Sequence, residues 1–246
     1  MRIAVFADIH ANRQAFAACL AQARDFGAEG IVLLGDYVGY GADPEWTVAT
    51  VMELVDKGAV AVRGNHDNAV ADARERLNTE ATVVMEWTRG ELGVAERRFL
   101  QELPLTRDDG DRLYVHADAS KPEGWRYVAS VSDAARSIIA ASARVTLCGH
   151  VHSPALYTMS ATGKMTAFIP AAGAPVHLLP TRRWLAVLGS VGQPRDGNPA
   201  ACYAMLDTRR GELTYCRAPY DVEAAAGAIR SKGLPAWLAD RLTLGR

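Results

Sequence analysis

The sequence predicts an α/β fold in which two β-sheets pack within one domain, residues 1–246, with helices outside. Three observations predict it. Short apolar runs at 3–7, 31–34 and 60–62 alternate with segments of helical spacing, which implies parallel strands joined by right-handed crossovers. Beyond Pro154 the apolar runs are joined by short turn sequences instead, as in an antiparallel sheet. A length of 246 residues suits one large α/β domain better than two.

The elements follow in order. Residues 3–7 read as a strand buried on both faces. Phe16, Leu20, Ala23 and Phe26 then recur at helical spacing, and Gly27 is a natural stop. After the strand at 31–34, Asp43-Pro44 reads as a helix cap followed by proline in the first turn, with the helix ending at Gly58. Residues 68–103 carry no strand signal and are rich in helix formers, so two or three helices are expected there. Residues 113–115 and 145–148 read as strands, with a helix between them capped by Ser132. Residues 155–159, 164–169, 184–188, 202–207 and 212–217 read as strands. Turns such as Ala161-Thr162-Gly163 and Arg209-Arg210-Gly211 join them. Residues 221–246 return to helix, with Pro235 opening the last one.

Composition narrows the function. Lys plus Arg number 27 and Asp plus Glu 28, a net charge of −1. Proteins that bind a nucleic-acid backbone by neutralising it are usually basic, so nucleic acid is an unlikely partner. Cys19, Cys148, Cys202 and Cys216 form no C-x-x-C pair and read as reduced thiols of a cytoplasmic protein. The apolar start is too short for a signal peptide or membrane span, so no membrane partner is expected.

The unusual polar residues follow the strands: Asp8-Ile9-His10, Gly35-Asp36, Gly64-Asn65-His66-Asp67, His116 and Gly149-His150-Val151-His152. In open α/β sheets ligands gather at the carboxyl ends of strands, so chain-distant residues can converge there. Imidazole nitrogen with carboxylate or amide oxygen suits Mn, Fe, Zn or Ni. Asp8/His10 and His150/His152 are i, i+2 pairs that would point the same way from extended backbone. Each motif alone has an ordinary reading: Asp-x-His is common, a buried histidine is usually a hydrogen-bonded core residue, and Gly-Asp after a strand is a turn. Their joint occurrence in one chain order is what outweighs those readings.

That order resembles the calcineurin-like metallophosphoesterases, whose pattern is D-x-H, G-D-x-x-x-x-G, G-N-H-[DE], a lone His and G-H-x-H. Here these read D-I-H at 8–10, G-D-Y-V-G-Y-G at 35–41, G-N-H-D at 64–67, V-H at 115–116 and G-H-V-H at 149–152. Residues 189–195 also look like the glycine-serine loop of small bacterial members. The resemblance implies a four-layer αββα sandwich with two mixed sheets and a metal site at the strand carboxyl ends. It implies two divalent or trivalent transition-metal ions, one on Asp8, His10, Asp36 and His152, the other on Asp36, Asn65, His116 and His150. His66, oriented by Asp67, would assist as the catalytic group. Two ions about 3.5–4 Å apart can bind a phosphoryl oxygen and activate a bridging hydroxide for attack at phosphorus. Ala117-Asp118 follows the lone histidine where the family often has glycine, so a looser loop is expected there.

Asn12, Arg13, Tyr40 and Arg195 are candidate substrate contacts, Arg195 as a phosphate ligand. Tyr37 is read either as a stacking ring or as core cover, and His177 as structural. Trp125-Arg126-Tyr127 is a candidate pocket wall with no rank. The expected reaction is hydrolysis of a phosphodiester or nucleotide-type small molecule. The rivals are a phosphomonoesterase or protein phosphatase, a nuclease, and a non-catalytic scaffold of the same fold. Every ligand position and His66 are filled, which counts against the scaffold.

Overall fold

The computed structural model describes residues 1–71 and 79–246. Its strands are β1 (Arg2–Phe6), β2 (Gly30–Leu33), β3 (Val60–Ala61), β4 (Thr106–Asp109), β5 (Arg112–Val115), β6 (Val145–Cys148), β7 (Ala155–Met159), β8 (Met165–Phe168), β9 (Pro175–His177), β10 (Arg183–Val187), β11 (Ala201–Asp207) and β12 (Glu212–Ala218). Its α-helices are α1 (Arg13–Asp25), α2 (Pro44–Asp56), α3 (Asn65–Ala71), α4 (Thr79–Glu91), α5 (Val94–Glu102), α6 (Val131–Ala140), α7 (Val222–Ser231) and α8 (Ala236–Leu244).

Among the described residues there are two six-stranded mixed sheets, ordered β3-β2-β1-β11-β12-β9 and β4-β5-β6-β10-β7-β8. The expected division into a parallel first half and an antiparallel second half does not hold. β11 pairs antiparallel with β1 and joins the first sheet, whereas β10, beyond Pro154, pairs parallel with β6 in the second. Local sequence marks most of the strands, but the partner of a strand is chosen by tertiary packing.

Side-chain alternation explains the layers. Ile3, Val5 and Ala7 point inward and share one apolar cluster with Leu147, Leu156, Trp184 and Ala186 of the other sheet. Ala4 and Phe6 point outward and pack on Phe16 and Cys19 of α1 and Val48 and Val51 of α2. On the opposite outer face, Tyr157, Leu185 and Val187 pack on Ala134 and Ile138 of α6. The result is the helix–sheet–sheet–helix sandwich that the motifs imply.

Several boundaries differ from expectation for local reasons. α6 is capped by Ser130, whose hydroxyl accepts from Asp133 N while the Asp133 carboxylate accepts from Ser130 N, so Ser132 lies inside the helix. Asp43 precedes α2 without a side-chain cap bond. β4 was not expected because its sequence, Thr-Arg-Asp-Asp, carries no apolar signal, and it forms by pairing with β5 across a turn at Gly110. β9 was also not expected, and it pairs with β12 along the edge of the first sheet. No described helix is long and apolar enough to cross a membrane.

Candidate metal centre

The chain leaves parallel strands at one end of both sheets. β1, β2 and β3 run parallel, as do β5, β6 and β10. Their carboxyl ends deliver Asp8 and His10, Asp36, Asn65 and His66, His116, and His150 and His152 to one place. All but Asn65 among these are buried.

Three overlapping donor clusters result: Asp8, His10 and His152; His10, Asp36 and His66; and Asp36, His116 and His150. Asp36 links them. Its Oδ2 lies 3.4 Å from His116 Nε2, 3.8 Å from His10 Nε2 and 4.0 Å from His66 Nε2. Asn65 Oδ1 stands 3.1 Å from His116 Nε2, which itself lies 3.1 Å from His150 Nδ1.

Backbone carbonyls fix the imidazole tautomers. A carbonyl only accepts, so His10 Nδ1 donates to Val38 O (3.1 Å) and His152 Nδ1 donates to Gln193 O (2.8 Å). Burial, followed by nearby cationic side chains, holds both rings well below the usual histidine range, so both are neutral. Each Nε2 then presents a lone pair, and the two atoms face one another at 3.0 Å. Two lone pairs at that distance repel unless a cation lies between them. The donor set therefore fits a metal ion, and the carbonyl partners orient the rings for it.

Charge is divided among the other groups by their surroundings. Burial opposes ionisation of Asp36, but His116 and then His66 outweigh it and hold its carboxyl well below the usual range. Burial likewise disfavours charge on His116, yet Asp36 and Asp8 push it up to about 9. Burial raises Asp8 to about 7, with Asp36 adding to the shift. Burial and His116 together lower His150 to about 3.

The expected extended backbone around the paired ligands is absent. Asp8, His10, Asp36, His150 and His152 all have left-handed φ values, at 54°, 49°, 54°, 68° and 64°. Such conformations cost non-glycine residues about 1–2 kcal/mol each and persist where surrounding contacts over-determine them. Those contacts are visible. Both Asp8 carboxylate oxygens accept from His150 N, and Ser190 Oγ donates to Asp8 O at 2.7 Å. A Cβ on Gly64 would lie 2.2 Å from Asp36 Oδ1, so only glycine admits the aspartate there.

Asp67 differs from its expected role. Its oxygens accept from Asp36 N (2.8 Å), Tyr37 N (2.9 Å) and Gly64 N (2.9 Å), while His66 Nδ1 has no hydrogen-bond partner. Asp67 therefore clamps the two ligand loops together and does not orient His66. The ring is held by packing against Tyr40 at 4.6 Å and against Gly39, where a Cβ would lie 2.4 Å from His66 Nδ1.

The candidate substrate contacts separate into two groups. Asn12 is buried as the α1 cap, accepting from Ala15 N and donating to Gly192 O, so it is not free to bind substrate. Arg13 lies over Trp46 on the outer surface between α1 and α2. Tyr40 and Arg195 do stand at the centre: Tyr40 packs on His10 at 4.7 Å, and the Arg195 guanidinium lies 5.8 Å from the Tyr40 ring. Tyr37 is core, its hydroxyl donating to the backbone carbonyls of Leu33 and Val62. His177 is exposed on β9.

The loop after His116 is braced rather than loose. Asp118 is buried and accepts from Ser120 N, Ser120 Oγ and Arg136 Nε, at 2.9, 2.8 and 2.6 Å. That loop brings Trp125 edge-on to His116 (5.9 Å) and Tyr127 flat against His150 (4.3 Å, 20°). Sequence reasoning placed Ser190 and Gln193 in the glycine-serine loop at 189–195 without a role of their own, and it did not single out Trp237. Ser190 and Gln193 had a usable signal as polar residues in the apolar, glycine-rich stretch after β10. Trp237 of α8, 6.3 Å from Tyr40, had none, because a tryptophan in an amphipathic helix reads as core.

A family model described as the calcineurin-like phosphoesterase superfamily domain matches residues 1–211. An uncharacterised protein of Methanocaldococcus jannaschii is 31% identical over 252 residues, covering 99% of this chain and 98% of the relative. A metallophosphoesterase from Sphaerobacter thermophilus, solved by crystallography, is 32% identical with a TM-score of 0.88, covering 100% of this chain and 99% of that one. A hypothetical protein from Pyrococcus horikoshii OT3 is 19% identical and shares the fold, with a TM-score of 0.81 and coverage of 100% and 98%.

Proposed function

The chain belongs to the calcineurin-like phosphoesterase superfamily and is a phosphoester hydrolase, and from that membership we propose that it uses two transition-metal ions to cleave a small phosphodiester or nucleotide-type substrate. One ion is assigned to Asp8, His10, Asp36 and His152, the other to Asp36, Asn65, His116 and His150. The observation that carries this reading is Asp36 Oδ2, within 3.8 Å of both His10 and His116, so that one carboxylate serves both donor groups.

When bound, such ions act as Lewis acids toward a phosphoryl oxygen and lower the pKa of coordinated water. The chain's own residues do the rest. Three imidazoles are fixed by carbonyls of Val38, Leu34 and Gln193, so their donor atoms need no reorientation. Arg195 supplies a cation for the non-reacting phosphate oxygens. His66 Nε2 faces the cluster and holds a proton near the departing oxygen.

The test is turnover with added Mn of bis-(p-nitrophenyl) phosphate, p-nitrophenyl phosphate, dinucleoside polyphosphates and a phosphopeptide. Preference for the diester supports the reading. Preference for a monoester or the phosphopeptide replaces it with a phosphatase, and no turnover of any with metal bound replaces it with a scaffold.

A further inference from the structure

Trp125 is bulky yet left-handed, with φ 48°, a conformation that large side chains adopt only under constraint. The constraint comes from the braced loop, in which Asp118 N donates to Arg126 O at 3.2 Å. One consequence is the position of Tyr127. Its ring stacks on His150 with one face, at 4.3 Å and 20°. It remains 54% exposed, although Val128 beside it is buried. Among the described residues its hydroxyl has no hydrogen-bond partner. A ring whose only task was to cover His150 would be expected to pack against further neighbours, and this one keeps a face open.

Tyr40, the ring beside His10 and His66, differs in character. Arg195 lies over this ring, and its charge acts on Asp8, His10, His66 and His152. The metal ligands are therefore flanked by a cation as well as by an open aromatic face. A nucleoside phosphate has the matching halves, an anion and a flat π-system joined by a sugar.

We propose that Tyr127 is the platform of a nucleobase subsite beside the metal centre, so that the phosphoesters selected here are those of nucleosides. This rests on the reading of the centre as a phosphoester site. A net charge of −1 favours a free nucleotide over a polymer. Base stacking on an aromatic ring is sequence-tolerant, so the platform selects for a base without distinguishing purine from pyrimidine sharply.

The experiment compares adenosine 5′-monophosphate with ribose 5-phosphate, which carries an anomeric hydroxyl in place of the base. Their affinities for the Mn-loaded protein are measured by calorimetry, with metal content determined for every variant. Wild type is expected to bind the nucleotide about tenfold more tightly. Tyr127→Phe keeps that ratio. Tyr127→Leu, which still covers His150 with apolar surface, brings the ratio close to one. Equal affinities in wild type, binding of neither ligand, or a preference that survives Tyr127→Leu would each overturn the subsite. Turnover of bis-(p-nitrophenyl) phosphate is measured separately: its loss would remove the hydrolase reading while the base preference stays readable.

Discussion

The Nε2 atoms of His10 and His152 face each other across 3.0 Å, and the Nδ1 of each ring already donates to a backbone carbonyl. Neutral rings held this way repel, so the fold contains an electrostatic cost that a bound cation removes. Removing metal should therefore lower stability. At a free metal concentration about a hundred times its Kd, binding contributes roughly 2.7 kcal/mol. For a chain of this size each kcal/mol moves the melting temperature by about 2–4 °C. A thermal melt after chelation is expected several degrees below that of the Mn-loaded protein, and coincident melts would contradict the assignment.

Asp36→Asn should weaken both metals at once, because the same oxygen approaches His10 and His116. Elemental analysis after gel filtration should find well under two metals per chain. His152→Ala should remove chiefly the metal assigned with Asp8 and His10. Retention of two metals by the Asp36 variant would show that the carboxylate does not bridge.

His66 and Asp67 are adjacent but should fail differently. His66→Asn is expected to retain both metals and lose most turnover, since His66 is assigned to no metal. Asp67→Asn should destabilise the fold by about 1–3 kcal/mol, because an amide cannot accept from three backbone N–H groups with both of its ends. Denaturant midpoints and metal content separate the two. An Asp67 variant of normal stability with selectively reduced turnover would restore the orienting role that its hydrogen bonds argue against.

Metal binding should release protons. In the metal-free protein Asp36 and Asp8 overcome burial and raise His116 to about 9, above the usual 6.5, so it is charged at neutral pH. A metal takes the same nitrogen, so its apparent affinity should rise about tenfold per pH unit up to roughly pH 9 and then level off. The shift has a stability counterpart in the metal-free fold. A folded pKa above the unfolded one contributes stability that is complete below about 6.5 and lost as pH rises through about 9. Calorimetry in buffers of different ionisation enthalpy reads the proton directly, and binding without proton release near pH 7.5 would contradict the assignment.

Much of this centre was legible before the structure, because its residues obey a rule the sequence displays: each follows an apolar run. The strands at 145–148 and 155–159 were readable to the residue for the same reason. What was not legible depends on contacts between distant segments. Asn12 looked like a substrate contact because it follows the first ligand pair, yet its amide is used by Ala15, Gly192 and Tyr220. The pairing of β11 with β1 has no local signature. The left-handed φ values of the ligands were hidden because such conformations usually announce themselves through glycine, and here aspartate and histidine adopt them.

Gly197 N donates to Gly245 O at 2.9 Å, and a Cβ on Gly245 would lie 2.7 Å from Asn198 N, so α8 is fastened to the loop carrying Arg195. The wall that α8 builds beside Tyr40 thus comes from outside residues 1–211, the part matched by the family model. The metal ligands, Tyr127 and Arg195 all lie within residues 1–211, and α8 reaches the centre through its packing on Tyr40. A change in the last helices would therefore be felt at Tyr40 and the Arg195 loop while every metal ligand stays where it is.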